Sequence, residues 1–257
     1  MNRRHFLATS CTAGLAALAS TATAADNTKR DYYELRKYIF DSQQQKDRID
    51  AFLKNAAIPA YNKIGISPVG VFYPTEGFSP TYVLLKHESP ESFTTTTQRL
   101  LADSEFCTKG ADVLDTPSSN PAYKRIESFL MKAFDQMTQL EIPSKKDTRI
   151  FQLRTYESHS IKAGQKKIEM FNTAEIAIFR KVGLNPVFFG ESLTGSLVPN
   201  LTYMLGFDDA EQQKQGWRKF GGDPDWRKIR AIPEYADKNI VSHITNIVLK
   251  PAPYSQI

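Results

Sequence analysis

Alternating apolar and polar side chains mark two similar stretches of the chain as strands that are buried on one face. Residues 32–39 and residues 150–157 carry aromatic and aliphatic side chains at alternate positions, which is typical of a half-buried strand. Helical spacing of apolar residues follows each stretch, over residues 45–64 and residues 164–182. The pattern therefore predicts a strand and then a helix in each half of the chain.

Two short strands are predicted after each of these helices. They are expected near residues 69–73 and 81–87 in the first half, and near residues 187–191 and 201–207 in the second half. Both pairs are apolar runs of the length that strands in globular proteins usually have.

A second helix and a closing strand complete each half. The helices are predicted to start at Asn120-Pro121 and at Asp223-Pro224, because in both places a residue that caps helix N-termini precedes a proline at the first helical position. Closing strands are expected near residues 137–142 and residues 243–249. Each half then has the order strand, helix, strand, strand, helix, strand.

The chain also repeats itself. A displacement of 118 positions places Leu35-Arg36 on Leu153-Arg154. Several further residues up to Val69, including Gly65 and Pro68, are identical to the residues 118 positions later. A second match, displaced by 103 positions, places Asn120-Pro121 on Asp223-Pro224. Two matches in the same order with different spacing indicate a duplicated domain.

One residue in the first predicted helix does not suit a helix. Pro59 lies in its interior, where proline costs about 3 kcal/mol, and Ala177 replaces it in the second copy. We therefore expect a kink in the first copy.

The predicted fold class is α+β, with two tandem ferredoxin-like βαββαβ domains over residues 30–145 and residues 148–257. The helices of such a domain cover one face of a four-stranded antiparallel sheet. The other face needs a cover, since an open apolar face of this kind usually marks an association surface. We expect the two sheets to face each other and close a barrel, as a dimer of single domains would.

Strand alternation also predicts where the side chains of the first strand of each half point. Leu35 and Leu153 are expected to face the helices. The polar side chains between them are then expected to face the space between the sheets, which would give the barrel a partly polar interior with two arginines related by pseudo-symmetry. These polar residues are Glu34, Arg36, Tyr38, Gln152, Arg154 and Tyr156.

Residues 1–25 have the pattern of a signal peptide, which is excluded from the fold. Arg3-Arg4, with Phe6-Leu7 following, resembles a bacterial twin-arginine signal, and Ala22-Thr23-Ala24 gives a cleavage pattern. An ordinary secretion signal is the alternative. The apolar run is too short to span a bilayer, so we expect a periplasmic or secreted protein that does not span the membrane.

Composition and charge exclude some classes of partner. The chain has 257 residues, 41% of them hydrophobic and 24% charged, with a net charge of +5 that becomes +3 without Arg3 and Arg4. This small, evenly spread excess does not predict nucleic-acid binding, which usually requires a clustered basic face. Cys107 is the only cysteine outside the leader; a buried structural role is favoured over a catalytic one.

The repeated motifs resemble those of the NIPSNAP family. The motifs are Leu35-Arg36-x-Tyr38, Leu153-Arg154-x-Tyr156, the two Gly-x-x-Pro segments and Asp223-Pro224-x-Trp226. The resemblance implies two tandem domains of the dimeric α/β-barrel superfamily. The family has no agreed reaction or catalytic residues to transfer, whereas its superfamily includes cofactor-free monooxygenases, small isomerases and haem enzymes.

Five residues are candidates for ligand binding: Arg36, Tyr38, Arg154, Tyr156 and Tyr203. An arginine that faces a cavity needs an anion from a ligand or from a neighbouring side chain. Glu34 is a possible neighbour for Arg36, and Glu157 or Glu191 for Arg154. The predicted partner is a small anionic or carbonyl-bearing ligand; the alternative is a structural salt bridge with tyrosine stacking.

No metal site or cofactor is predicted. His87, His159 and His243 are the only histidines outside the leader, and they lack the spacing of metal ligands. Haem binding would need one of them as an axial ligand, with His159 and His243 placed near strand ends. The sequence outside the leader also lacks a glycine-rich phosphate loop, a G-x-S-x-G elbow and a C-x-x-C pair.

Two classes of function remain. The first is an exported binding module for a small molecule or a protein, favoured because the sequence shows no paired acid and base and no activated nucleophile. The second is an enzyme of the cofactor-independent monooxygenase or isomerase type, with haem binding as a further alternative. Fold kinship alone does not decide between them.

Overall fold

Eight antiparallel strands close into one barrel in the computed structural model of the protein, which describes residues 29–257. The predicted signal peptide over residues 1–25 lies outside the described residues. The strands are β1 (Tyr32–Ile39), β2 (Val69–Pro74), β3 (Thr81–His87), β4 (Arg125–Ala133), β5 (Ile150–Glu157), β6 (Asn185–Thr194), β7 (Asn200–Phe207) and β8 (His243–Pro251).

Each half of the chain contributes four neighbouring strands to the barrel. The order around it is β1, β3, β2, β8, β5, β7, β6 and β4, and β4 pairs again with β1. The halves join where β2 pairs with β8 and where β4 pairs with β6. The predicted α+β class, with two ferredoxin-like units that close a shared barrel, is confirmed.

The helices cover the outside of the barrel. In the first half they are α1 (Gln43–Phe52), α2 (Ile58–Lys63), α3 (Pro90–Leu101) and α4 (Ser104–Leu114). In the second half they are α5 (Ile161–Met170), α6 (Ile176–Val182), α7 (Ala210–Gly222), α8 (Pro224–Arg230) and the short α9 (Asp237–Ile240).

A π-helical turn joins α1 to α2 and another joins α5 to α6. The turns span Leu53–Ala57 and Phe171–Glu175, which are displaced by the same 118 positions as the sequence repeat. Pro59 follows the first turn, but Ala177 stands at its place after the second. The irregularity that we expected from the proline is therefore present in both copies and does not come from it.

The second helix of the first half does not begin at Asn120-Pro121. That prediction is wrong: α3 and α4 come earlier, and residues 120–124 connect them to β4 without forming a helix. Ser89-Pro90 carries the same cap-and-proline motif, and the Ser89 side chain accepts a hydrogen bond from the backbone N–H of Ser92. In the second half a helix does begin at Asp223-Pro224, where Asp223 caps α8, but α7 precedes it, so the second helix of this half also begins earlier than predicted.

The closing strand of the first half is also earlier than predicted. It is β4, whereas residues 137–142 lie beyond it, with Leu140 and Ile142 packed against the interior side chains of the barrel. The predicted closing strand over residues 243–249 is confirmed by β8.

Large apolar side chains fill the interior of the barrel, and Leu35 and Leu153 are among them. The prediction that these two face the helices is therefore wrong, and so is the prediction that Arg36 and Tyr38 face the interior, because they line a cavity on the helix side of the sheet. Alternation shows which residues share a face, but a closed barrel of eight strands has an inside just wide enough for side chains to fill. The interior residues include Tyr33, Phe72, Tyr82, Leu84, Phe129, Met131, Phe151, Val187, Phe188, Met204 and Leu249.

Two pseudo-equivalent segments close one end of the barrel. The backbone N–H of Glu141 donates to the Val187 carbonyl at 2.9 Å, and that of Gln256 donates to the Val69 carbonyl at 3.0 Å. The neighbouring Ile257 is 1% exposed and packs with the interior residues. The duplication therefore extends to the way in which this end is sealed.

No helix in residues 29–257 is long and apolar enough to cross a membrane.

The seal makes a testable contribution to stability. We expect Ile257→Ala to lower the free energy of unfolding by about 2–5 kcal/mol, because it leaves a cavity at the end of the packed interior. Urea unfolding followed by circular dichroism measures the change. Ile232→Ala is the control, since Ile232 is 42% exposed, and it should change stability by less than about 0.5 kcal/mol. Identical urea unfolding curves for the two variants would contradict the contribution of Ile257 to closing this end of the barrel.

Candidate functional site

A cavity of about 210 Å³ lies between the sheet and the helices of the first half. We call it the first-half cavity. Arg36 and Tyr38 reach it from β1, and Tyr61 reaches it from α2. The other lining residues are Phe52, Thr97, Leu100, Leu101, Phe106, Val113, Leu114, Tyr123 and Ile126. An arginine and tyrosine hydroxyls are thus set into a wall that is otherwise largely apolar.

The predicted site residues Arg36 and Tyr38 therefore meet at a cavity, but on the helix side of the sheet. The prediction that they face the space between the sheets is wrong, because β1 turns Leu35 inward and its polar neighbours outward. Their role as ligand-binding residues stays a prediction.

Arg36 is held by two side chains that pack beside it. Its Nε and Nη2 donate to the two carboxylate oxygens of Glu34 at 2.5 Å and 3.0 Å. Its Nη1 donates to the Tyr61 hydroxyl at 2.7 Å. Because a guanidinium has five N–H groups, two remain after these three bonds. The predicted Glu34–Arg36 pair is present in the structure.

Glu34 is 2% exposed and is surrounded by donors. Besides Arg36, the Ser128 hydroxyl donates to it at 2.7 Å, and Nε2 of His87 lies 3.4 Å from it. Nδ1 of His87 lies 3.1 Å from the Ser92 hydroxyl on α3. Burial acts to raise the pKa of Glu34, but the bonds from His87, Arg36 and Ser128 and the charge of Arg36 lower it to about 2.

Tyr61 and Tyr38 are neutral hydrogen-bond donors at the cavity. Burial raises the pKa of Tyr61, although the charge of Arg36 opposes the shift, and burial raises the pKa of Tyr38 in the same way. Since the Tyr61 oxygen already accepts from Arg36, its own O–H can donate to a further acceptor. Tyr38 is fixed by an edge-to-face contact with Tyr123, whose ring centre lies 6.0 Å away.

Three apolar side chains at the cavity are unusually exposed. Leu101 is 56% exposed, Ile126 is 38% exposed and Leu114 is 36% exposed. Exposed apolar groups beside a concave site favour apolar ligands.

Aromatic side chains occupy the equivalent place in the second half. Trp217 donates from Nε1 to the Gln152 side chain at 2.6 Å, and it packs against Phe179 and Phe220. Gln152 is the counterpart of Glu34 in the 118-residue repeat. In the second half, the Trp217 indole thus fills the space that is open in the first half.

Counting from the helix N-caps shows which residues of the two halves correspond at this place. Trp217 lies eight residues after Asp209, the N-cap of α7, and Thr97 lies eight residues after Ser89, the N-cap of α3. By the same count Phe220 corresponds to Leu100. Thr97 and Leu100 both line the first-half cavity. The cavity is therefore open where the first half has side chains smaller than Trp217 and Phe220.

The structure also brings together Arg154, Tyr156 and Tyr203, the other predicted site residues. The hydroxyls of Tyr156 and Tyr203 are 3.2 Å apart. The Arg154 guanidinium carbon lies 5.3 Å from the Tyr156 ring centre and 4.9 Å from that of Trp217. Tyr203 is fully buried and Tyr156 is 7% exposed.

Arg154 lacks the carboxylate partners that we expected. Within residues 29–257, neither Glu157 nor Glu191 pairs with it, and Glu191 instead accepts from Gln165. The Nε of Arg154 is buried without a hydrogen-bond partner in the described part of the chain. Burial opposes its charge, while the Tyr203 and Tyr156 hydroxyls and the more distant Glu175 raise the pKa of Arg154.

A buried ion cluster behind Tyr156 was not predicted. Lys167 is 1% exposed, and its Nζ lies 3.2 Å from Asp237 Oδ1 and 3.5 Å from Glu175 Oε2. Burial raises the pKa of Glu175 despite the charge of Lys167. The signal was available in the repeat, because Lys167 stands where the first copy has the apolar Ile49.

The interior of the barrel offers little space. A pocket of about 50 Å³ lies at the end opposite the seal, where Lys37, Thr155 and Thr202 are among its lining residues. The shared chamber that would have held the predicted ligand site is therefore filled by side chains.

The histidines and the cysteine have distinct surroundings. His87 is buried and bound to Glu34 and Ser92, whereas His159 and His243 are exposed. Within residues 29–257 the structure shows no group of three or more side chains able to hold a metal ion. Cys107 is a free thiol, partly buried against the first-half core.

Similar folds occur in several solved structures. A monooxygenase-like protein from Fusobacterium nucleatum is 6% identical with a TM-score of 0.57, covering 86% of this chain and 92% of its own. One from Lactobacillus acidophilus is 9% identical with a TM-score of 0.56, covering 86% and 94%. An anthrone oxidase-like protein is 11% identical with a TM-score of 0.55, covering 88% and 92%. At these identities the likeness shows the fold alone.

Sequence comparison identifies a family for part of the chain. No curated protein matches it. The NIPSNAP family model matches residues 151–256, so the resemblance that we stated from the motifs is confirmed for the second half.

The Glu34 network predicts a pH dependence of stability. Glu34 has a pKa of about 2 in the folded protein and an ordinary value of 4.5, so its contribution is complete above about pH 4.5 and is lost as the pH falls towards 2. We expect wild type to lose more unfolding free energy over this window than Glu34→Gln, measured by urea unfolding at a series of pH values. Glu76→Gln, at an exposed position, should run parallel to wild type. A Glu34→Gln curve that also runs parallel would contradict the network.

Proposed function

We propose that this protein binds a small, largely apolar ligand of about one or two aromatic rings in the first-half cavity. The ligand carries an oxygen that accepts hydrogen bonds, as an anionic or carbonyl group does. The observation that carries the proposal is the difference between the halves: Trp217 fills the second-half space, whereas the equivalent space beside Arg36 is open.

The size and lining of the first-half cavity support a ligand of this class. A dry apolar cavity of about 150 Å³ is large enough to take up benzene, and this one has a volume of about 210 Å³. Binding sites for small molecules are mostly apolar with a few polar groups that fix the orientation of the ligand. Phe52, Phe106 and Leu100 supply the apolar surface here, and Arg36 and Tyr61 supply the polar groups.

The polar groups can orient a ligand oxygen. Arg36 has two N–H groups left and Tyr61 has its O–H. An acceptor placed between them would receive charge-assisted hydrogen bonds, which are stronger than neutral ones. The rings of Tyr38 and Tyr123 would lie beside the ligand, since both line the same cavity.

A second candidate function is cofactor-independent oxygenation in the same cavity. The fold shared with monooxygenase-like and anthrone oxidase-like proteins favours this candidate. In such a reaction a methylene group next to a carbonyl reacts with O₂, becomes a carbonyl itself and releases one water. Arg36 would stabilise the negative charge that develops on the substrate oxygen when the methylene loses a proton.

We also propose that the protein is exported to the periplasm or secreted. The support is the leader pattern of Arg3-Arg4 and Ala22-Thr23-Ala24. Expression in a bacterial host should give a mature chain that begins near Ala25 or Asp26 in the periplasmic fraction. N-terminal sequencing tests this, and a cytoplasmic protein that retains its leader would contradict it.

Filling the first-half cavity should abolish binding. We expect wild type to bind 2-naphthamide and Thr97→Trp to bind it at least about tenfold more weakly, which is about 1.4 kcal/mol, because the new indole would take the place that Trp217 takes in the second half. Isothermal titration calorimetry measures both affinities.

Thr94→Trp is the matched control for that experiment. Thr94 is exposed on the same helix and is not among the lining residues, so this variant should bind as wild type does. Unchanged binding by a folded Thr97→Trp protein, or no binding by wild type, would contradict the proposed site.

A further inference from the structure

The charge of the first-half cavity is already balanced before any ligand enters. Arg36 is the one charged residue among those that line the cavity in the described part of the chain. Its guanidinium is bound through two parallel hydrogen bonds by Glu34, which is the geometry that neutralises an arginine most completely. The wall therefore presents hydrogen-bond donors without a net charge from this pair.

Glu34 cannot easily be displaced from Arg36. The Ser128 hydroxyl and the His87 ring hold it from β4 and β3. A ligand carboxylate that took its place would leave a buried carboxylate without its cation, which is strongly unfavourable. A ligand carboxylate that bound beside it would bring a second negative charge to a single arginine.

The second half shows that an arginine at this position does not require a carboxylate. Gln152 stands in place of Glu34, donates to the Asn246 side chain at 2.7 Å and accepts from Trp217. Arg154 makes no bond to Gln152, and its Nε is left without a partner in the described chain. Glu34 is thus a feature of the open cavity and not of the fold.

We infer that Glu34 determines the specificity of the first-half cavity, selecting neutral ligands that carry a carbonyl or hydroxyl oxygen over carboxylates of the same shape. The inference rests on the proposed function and narrows its ligand class. The neutral oxygen would accept from the Tyr61 O–H and from the N–H groups that Arg36 has left, and Glu34 would remain in place behind them.

Two isosteric probes test this specificity. 2-Naphthamide and 2-naphthoate have the same shape, but only the second carries a negative charge at pH 8. Wild type should bind the amide at least about tenfold more tightly than the carboxylate. Glu34→Gln should raise the affinity for naphthoate at least about tenfold and change that for naphthamide little, because the freed guanidinium then pairs with the ligand.

Glu127→Gln is the matched control. Like Glu34→Gln, it removes one negative charge, in this case from β4. Glu127 Oε2 lies 3.8 Å from Lys37 Nζ, and Glu127 does not line the cavity. The ratio of the affinities for naphthamide and naphthoate should therefore stay at the wild-type value. Glu34→Gln combined with Ser128→Asn reproduces the Gln152 and Asn246 pair of the second half. This double variant replaces Glu34→Gln in the affinity measurements if the single variant does not fold.

The outcomes separate the inference from the proposed function. If wild type binds naphthoate as tightly as naphthamide and Thr97→Trp blocks both, the cavity is the binding site but Glu34 does not determine its specificity. An unchanged ratio in a folded Glu34→Gln protein would overturn the role of Glu34 as well. Binding of neither probe by wild type would contradict the proposed function and, with it, the inference.

Discussion

Closure of eight strands around a filled apolar interior is the constraint on which the rest of the structure depends. Because large side chains occupy the inside of the barrel, β1 and β5 turn Leu35 and Leu153 inward and place Arg36 and Arg154 in the layer between sheet and helices. Buried polar groups in that layer need partners, and the helices supply several of them, such as Tyr61 and Trp217. The cavity and the ion networks of this protein therefore lie outside the barrel, beneath the helices.

Duplication has allowed the two halves to use that layer differently. In the second half, Trp217 and Phe220 fill the space against the sheet, and a neutral Gln152 accepts the indole N–H. In the first half, Thr97 and Leu100 leave the equivalent space open, and an ion pair of Glu34 with Arg36 forms its polar wall. At this place the second half is packed with aromatic side chains, whereas the first half contains an open cavity. A single chain can make this division, whereas a dimer of identical domains cannot.

Much of the fold could be predicted from the sequence, because it rests on local patterns that occur twice. The alternation in β1 and β5 and the repeat between them were sufficient for the order of elements and for the closed barrel. The direction of the strand faces could not be predicted, since alternation is the same whichever side is buried. The start of α3 was not predicted, because the cap-and-proline motif of Ser89-Pro90 occurs again at Asn120-Pro121, and only the latter matches Asp223-Pro224 in the repeat. Arg36 and Tyr38, which the sequence singles out, line the first-half cavity, but the open space beside them depends on Thr97, and this becomes apparent only when Thr97 is compared with Trp217.

A crystal structure of wild type with 2-naphthamide would show whether the first-half cavity is the ligand site. We expect electron density for the naphthalene rings between β1 and α3, with the amide oxygen within hydrogen-bond distance of Arg36 and Tyr61. Density at the end of the barrel beside Lys37 and Thr155, with the layer above Arg36 empty, would contradict it.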